Sequence, residues 1–140
     1  MKWNISRADG TDLDLGEVFR VYQSSGLAER RPLTEAGRLD AMVRNSNLIL
    51  VCHLDGEDGE MVGIARSVSD FSYVTYLSDI AVCERYQRCG IGRALIDATR
   101  KEAPQAKVVL LSAPAATEYY PYIGFTRHNS AWVLNPQDAF

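Results

Sequence analysis

The sequence predicts a mixed α/β (α+β) fold with strands dominating the middle of the chain. Three observations carry that expectation. Residues 48–82 hold three apolar runs rich in β-formers, separated by short polar turns. Windows on either side, Leu15 to Tyr22 and Ile91 to Ala98, repeat apolar residues at helical spacing. Between the third run and the second window, Gln87-Arg88-Cys89-Gly90-Ile91-Gly92 takes the chain from strand to helix through glycines.

Taken in order, Trp3 and Ile5 alternate onto one face of a short first strand, Trp3 to Arg7. Thr11 to Asp14 gives a Thr-x-x-Asp helix start, Leu15, Val18, Phe19 and Tyr22 form the apolar stripe, and Gly26 marks the stop. Ser24 to Leu33, with Arg30, Arg31 and Pro32, reads as a loop. A second helix is expected from Thr34, turning Ala36, Leu39, Met42 and Val43 inward. Leu48 to Leu54 reads as a buried strand, and Met61 to Val68 pairs back onto it through the turn Asp55–Gly59. Tyr73 to Val82 is the next strand. The helix after the glycine turn runs from Ile91 to Glu102 and buries Ile91, Ala94, Leu95 and Ala98. Beyond Pro104 another buried strand is expected, Val108 to Leu111, then a short helix near Thr117–Tyr122 closed by Gly124. A final hairpin is expected, Phe125–Arg127 with Trp132–Leu134. The order is β-α-α-β-β-β-α-β-α-β-β, without repeats, linkers or low-complexity tracts.

Composition narrows the function classes. A length of 140 residues allows one domain, expected over 1–140, and not two ordinary ones. Fifteen basic against 18 acidic residues leave a net charge of −3, which argues against a general nucleic-acid binder. No apolar run reaches a membrane-spanning length, and the N-terminus shows no signal-peptide core, so no membrane partner is expected. Cys52, Cys83 and Cys89 are odd in number and contain no C-x-x-C pair. A disulfide framework or metal site is not expected, and a reducing, cytoplasmic setting is.

The glycine turn is the first chemical candidate. Unpaired N–H groups at a helix N-terminus, together with the helix dipole, favour a negatively charged group such as phosphate. Gly90 and Gly92 permit the positive φ and close backbone approach that such a cradle needs. Arg88 and Arg93 flank it and offer charge-assisted contacts. The dinucleotide fingerprint is absent, since no third glycine follows, and so is a Gly-Lys-Ser/Thr phosphate loop. Spacing alone leaves an anion site and a plain strand-to-helix turn both open.

The stretch Val82 to Leu95, with Gln87-Arg88-Cys89-Gly90-Ile91-Gly92 at its centre, resembles the coenzyme A signature of the GNAT superfamily of acyl-CoA-dependent N-acetyltransferases. Downstream, Tyr119-Tyr120-Pro121-Tyr122-Ile123-Gly124-Phe125 resembles that family's aromatic-Tyr-x-x-x-Gly-Phe segment. The order of elements is also similar. The resemblance implies a GNAT-like acyl-CoA N-acyltransferase fold whose central strands, Tyr73–Val82 and Val108–Ser112, splay around acetyl-CoA. It implies pyrophosphate binding by Gln87, Arg88, Cys89, Gly90, Ile91, Gly92 and Arg93. Contacts from the backbone of Ile80, Ala81 and Val82 to the pantetheine arm are implied as well. Tyr120 takes the position of the family's tyrosine, which protonates the departing thiolate. Tyr119 takes a packing position, and Tyr122 borders the cofactor.

Two departures from the family pattern qualify that reading. Several relatives carry Glu on the strand before the turn, where this chain has Tyr76 and Ser78, followed by Asp79. Asp79 is the nearest carboxylate, and strand alternation turns it away from the amine. Ser78 or Tyr76 is the alternative, holding a water that takes the amine's proton. Ala113 stands where many relatives have Asn, so its side chain offers cofactor no hydrogen bond. Cys89 sits where a thiol is reactive, but no His lies near it in sequence to support an acetyl-cysteine.

The expected activity is direct transfer of acetyl from acetyl-CoA to a primary amine, on a small molecule or a protein, without a metal. An acyl-CoA-binding sensor is the alternative. A homodimer through exposed strand edges is compatible with the sequence. Arg30 and Arg31 would suit an acceptor that also bears a carboxylate or phosphate.

Overall fold

The computed structural model describes residues 2–139. By their contacts, residues up to Leu110 form one compact unit and those from Leu111 a second.

The first unit is a five-stranded sheet in the sequential order β1 (Trp3–Ala8), β2 (Leu48–Leu54), β3 (Met61–Ser69), β4 (Val74–Val82) and β5 (Lys107–Val109). The first four strands pair antiparallel, and β5 joins β4 in parallel. Helices α1 (Leu15–Ser25) and α3 (Ile91–Glu102) pack against the sheet, and α2 (Arg38–Arg44) packs against α1. The core follows the predicted apolar stripes. Val18, Val21 and Tyr22 of α1, Val43 of α2, Leu48 to Cys52, and Ile91, Leu95 and Ile96 of α3 are all buried. The mixed fold predicted from periodicity is therefore present. On α3, Ile96 and Thr99 are buried in place of the expected Ala94 and Ala98, which are only partly covered.

Three boundaries differ from the sequence reading. Helix α1 is capped by Asp14, whose carboxylate accepts from the amides of Gly16 (2.8 Å) and Glu17 (3.2 Å). Thr11 instead donates its amide and hydroxyl to Asp9. Helix α2 begins at Arg38 rather than after Thr34, because residues 34–37 are all exposed and no packing supports an extra turn. The expected C-terminal hairpin is absent from the described residues, and 126–139 carry no strand. All of those residues are exposed, Trp132 at 92%, and a two-stranded hairpin without a face to pack on is marginal in water.

Parallel pairing of β4 with β5 stops after three residue pairs, at Tyr76↔Val109. From Leu77 to Val82, β4 runs on without a β5 partner. The buried strand expected from Val108 to Leu111 instead ends at Val109, and Val109 and Leu111 are 41% and 50% exposed.

Because Asp14 meets two orphan amides at the start of α1, Asp14→Ala should lower unfolding free energy by about 0.5–2 kcal/mol. Thr11→Ala should cost less. Urea denaturation of both variants checks the assignment.

Candidate functional site

Strand β4 positions one half of the site. Opposite β3 its register slips between Arg66 and Ser67, so Arg66 pairs with Asp79 and Ser67 with Leu77, leaving Ser78 as an extra residue. Such a bulge bends the strand and breaks side-chain alternation. Arg66 accordingly reaches both neighbours, donating from Nη2 to Ser78 Oγ (2.9 Å) and from Nε to Asp79 Oδ2 (2.6 Å). Ser78 and Asp79 thus both meet Arg66 at this bulge.

Asp79 is wholly buried as a side chain and has three donors. Besides Arg66, the Tyr22 hydroxyl donates to Oδ2 (2.7 Å) and Arg31 Nε to Oδ1 (2.6 Å). Burial alone would raise its pKa. The charge and hydrogen bond of Arg66, the Tyr22 hydroxyl and the charge of Arg31 outweigh burial and hold it below the ordinary carboxylate value. Burial, then the Asp79 charge, pushes the Tyr22 phenol up, so it stays a neutral donor. A carboxylate with lowered proton affinity and three donors is poorly suited to accept a proton from an amine. Arg31 also donates to the Ser78 carbonyl (2.9 Å), so it does not project toward an acceptor's anion, whereas Arg30 is exposed.

Ser78 is half-buried. Its hydroxyl accepts from Arg66, and its own proton has Asp79 Oδ1 at 3.5 Å, too long for a strong O–H···O bond. That leaves the hydroxyl able to donate to water. Tyr76, two residues earlier, is 39% exposed.

Beyond the bulge, Cys83 donates its amide to the Val62 carbonyl (2.9 Å), and Val82 stands opposite Gly63. Antiparallel hydrogen-bonded pairs alternate. The backbone N–H and C=O of Ala81 therefore serve β3, and those of Ile80 and Val82 face the open edge. Gln87 Nε2 donates to the Val82 carbonyl (2.9 Å), tying the turn back to the strand.

The glycine turn completes this half. A single 3₁₀ turn, Glu84–Tyr86, leads to Arg88 at φ 63° and Gly90 at φ 86°. Two left-handed residues in three are costly unless the larger one is well held, and Gly90 removes that cost at its own position. Gly90 is the N-cap of α3 and lends it no side-chain hydrogen bond, so the helix start keeps free N–H groups at Ile91 and Gly92. Arg88 and Arg93 are exposed beside it. The Cys89 thiol is exposed and lies 3.6 Å from the Gln87 carbonyl. The αL glycine, the uncapped helix start, the two arginines and the open edge fit an elongated ligand with an anionic group at one end.

In the second unit, Ala113 is extended at the start of a 3₁₀ turn, Pro114–Ala116. Helix α4 (Tyr119–Tyr122) ends in a Schellman closure. Phe125 N–H donates to the Tyr120 carbonyl (2.9 Å) and Gly124 N–H to that of Pro121 (3.1 Å), with Gly124 at φ 112°. The Tyr120 ring meets Phe125 edge-on at 5.4 Å and Tyr119 at 5.3 Å. The spacing Tyr-x-x-x-Gly-Phe is what this closure requires. Tyr122 is 83% exposed.

Sequence reading missed Arg66 and Tyr22. Arg66 did leave a signal, a single cation inside an otherwise apolar strand, which demands a buried anion. No equivalent signal marked Tyr22, which fits an apolar helix stripe.

The sequence model of the Acetyltransferase (GNAT) domain matches residues 38–135. The GCN5-related N-acetyltransferase 2, chloroplastic, of Arabidopsis thaliana is 27% identical over 135 residues, covering 79% of this chain and 51% of that protein. The chain thus spans about half the length of the plant relatives it matches. Among solved structures, a GNAT-family acetyltransferase from Streptococcus pneumoniae TIGR4 superposes with TM-score 0.71 at 22% identity, covering 95% of this chain and 98% of that one. An aminoglycoside N-acetyltransferase solved with CoA gives TM-score 0.70 at 14% identity, with coverage of 98% and 96%. These last two likenesses concern the fold.

Removing the Asp79 charge should strand Arg66 in the interior. Asp79→Asn is expected to cost about 3–5 kcal/mol at neutral pH. The native carboxyl's pKa lies below the unfolded value of about 3.9, so its contribution is complete above that pH and fades as pH falls further. The gap between Asp79→Asn and the natural protein should therefore narrow below about pH 4, as chemical denaturation across pH will check.

Proposed function

Because this chain belongs to the GNAT acetyltransferase family, we propose that it moves an acetyl group from acetyl-CoA to a primary amine by direct attack. The observation that carries the proposal is the αL Gly90 at an uncapped helix start, one short turn beyond a strand with an open edge. An acyl-CoA needs both parts, a cradle for its pyrophosphate and backbone groups along its pantetheine.

The amides at the start of α3 hold the pyrophosphate, with Arg88 and Arg93 adding charge, and the rest of Gln87–Gly92 shapes the turn. Open-edge backbone groups of Ile80 and Val82 pair with the pantetheine amides, and Ala81 keeps the strand in register. Bound acetyl-CoA supplies an activated thioester carbonyl. One open-edge N–H is oriented to steady the oxygen of that carbonyl as charge develops.

An amine of pKa about 10.4 is under one part in about a thousand neutral at pH 7, so its proton must be removed. Asp79 is not assigned that task, since its oxygens are engaged and its proton affinity is lowered. A water held by Ser78, with Tyr76 beside it, carries the proton out. As the C–N bond forms and the C–S bond breaks, Tyr120 gives its phenolic proton to the thiolate. Support for that role is the Tyr-x-x-x-Gly-Phe resemblance, with Tyr119 as packing and Tyr122 at the cofactor's border. Ala113 adds no side-chain hydrogen bond, which places more of the affinity on the glycine turn. The amine acceptor belongs to a small molecule or a protein.

Calorimetry with acetyl-CoA tests the cradle. Gly90→Val forces a β-branched residue to φ 86° and should abolish binding while the domain stays folded. No binding by the folded natural protein would contradict the proposal. Tyr120→Phe should leave cofactor affinity unchanged and lower turnover, followed by CoA release across an amine panel, by about 10²-fold or more. Acetyl-CoA binding without turnover of any amine by the natural protein would favour the acyl-CoA sensor.

A further inference from the structure

The connection from α1 to α2 is held in an unusual way. None of residues 27–37 is buried. Their backbone hydrogen bonds are local, as from Glu29 to Gly26, Arg31 to Ala28 and Leu33 to Arg31. Among the described residues, every hydrogen bond from this stretch to the sheet comes from the guanidinium of Arg31. Its Nε donates to Asp79 Oδ1 (2.6 Å) and its Nη2 to the Ser78 carbonyl (2.9 Å), while Nη1 donates to the carbonyl of Arg30 in its own loop (2.8 Å). One side chain therefore joins the loop to both residues of the β4 bulge.

Chemistry favours arginine for this task. A planar fork satisfies a carboxylate and a carbonyl together, which a lysine's single ammonium does less well. Asp79 is pre-set as a receiver, because Arg66 and Tyr22 keep it ionised and fixed. The Arg31 side chain is 22% exposed, against 8% for Arg66. It is thus the member of the cluster at the water boundary, and its loss leaves Asp79 still paired.

We propose that Arg31 is a positioning residue for acetyl transfer, a staple that fastens the α1–α2 connection over the β4 bulge and so sets the affinity for the amine acceptor. The acceptor role rests on the acetyltransferase reading above. With the staple in place, Arg31 is held against the Ser78 carbonyl (2.9 Å), and the connection that carries it limits how an amine approaches that residue. With the staple gone, a stretch lacking buried apolar contacts opens readily.

The test compares Arg31→Ala and Arg31→Lys with the natural protein. Three readouts are taken: amide hydrogen exchange, acetyl-CoA affinity by calorimetry, and steady-state kinetics with the best amine of a panel. In Arg31→Ala, amides of 27–37 should exchange about tenfold faster or more while those of β3 and β4 stay protected. KM for the amine should rise about tenfold, the scale of one or two charge-assisted hydrogen bonds, with kcat and acetyl-CoA affinity within about twofold of natural. Arg31→Lys keeps the charge facing Asp79 and should restore part of the KM. A merely structural arginine would raise exchange throughout the sheet and depress all parameters together, and that result overturns the proposal. Unchanged exchange at 27–37 in Arg31→Ala overturns the staple. If the folded natural protein binds acetyl-CoA but turns over no amine, the acceptor role falls with the reading it rests on. Exchange then still decides the staple.

Discussion

The buried carboxylate of Asp79 constrains more of the first unit than any other group. A carboxylate cannot stay charged in a dry interior without compensation. Compensation here comes from Tyr22 on α1, Arg66 on β3 and Arg31 on the α1–α2 connection. Arg66 in turn reaches the Met42 carbonyl and Ser46 Oγ just past α2. One charge thereby ties two helices, two strands and a loop to the same point. That point is the bulge where β4 bends and Ser78 and Asp79 share a face. An apolar residue at 79 would fill similar space, but Arg66 and Arg31 would lose the anion that fixes them.

The two family-like motifs become backbone devices once built. Gly90 supplies a left-handed residue so that β4 can deliver the chain into α3 with its first amides uncommitted. Gly124 supplies another so that Phe125 folds back on Tyr120 and fixes the ring. In both cases the spacing in the sequence reflects backbone geometry, and the chemistry is carried by what that geometry leaves exposed. The open edge of β4 has the same character. Ile80 and Val82 are ordinary apolar residues, and only their register beside β3 turns their peptide groups outward.

Much of this was legible in the sequence. Apolar periodicity located the strands and helices because core burial dictates it, and β2 and α3 fall where the pattern puts them. The glycine turn and the Tyr120–Phe125 segment were readable because backbone conformation restricts residue choice. The bulge was not, since a register slip depends on the partner strand and leaves no mark on β4's own pattern. Asp79 therefore read as a candidate base, when its position fits the centre of a buried ion cluster. Arg31 read as a partner for an acceptor's anion for the same reason, its own partner, Asp79, being distant in the chain. The C-terminal hairpin was suggested by β-forming residues near Trp132, yet propensity without a face to cover forms no strand.

The central claim, that an acyl-CoA lies along the open edge of β4 with its pyrophosphate on the start of α3, is tested most directly by backbone amide NMR during titration with acetyl-CoA. The account predicts saturable shifts concentrated at residues 80–82 and 87–93, with β1 and β2 nearly unaffected. Shifts confined elsewhere, or none at saturating concentration, would contradict it.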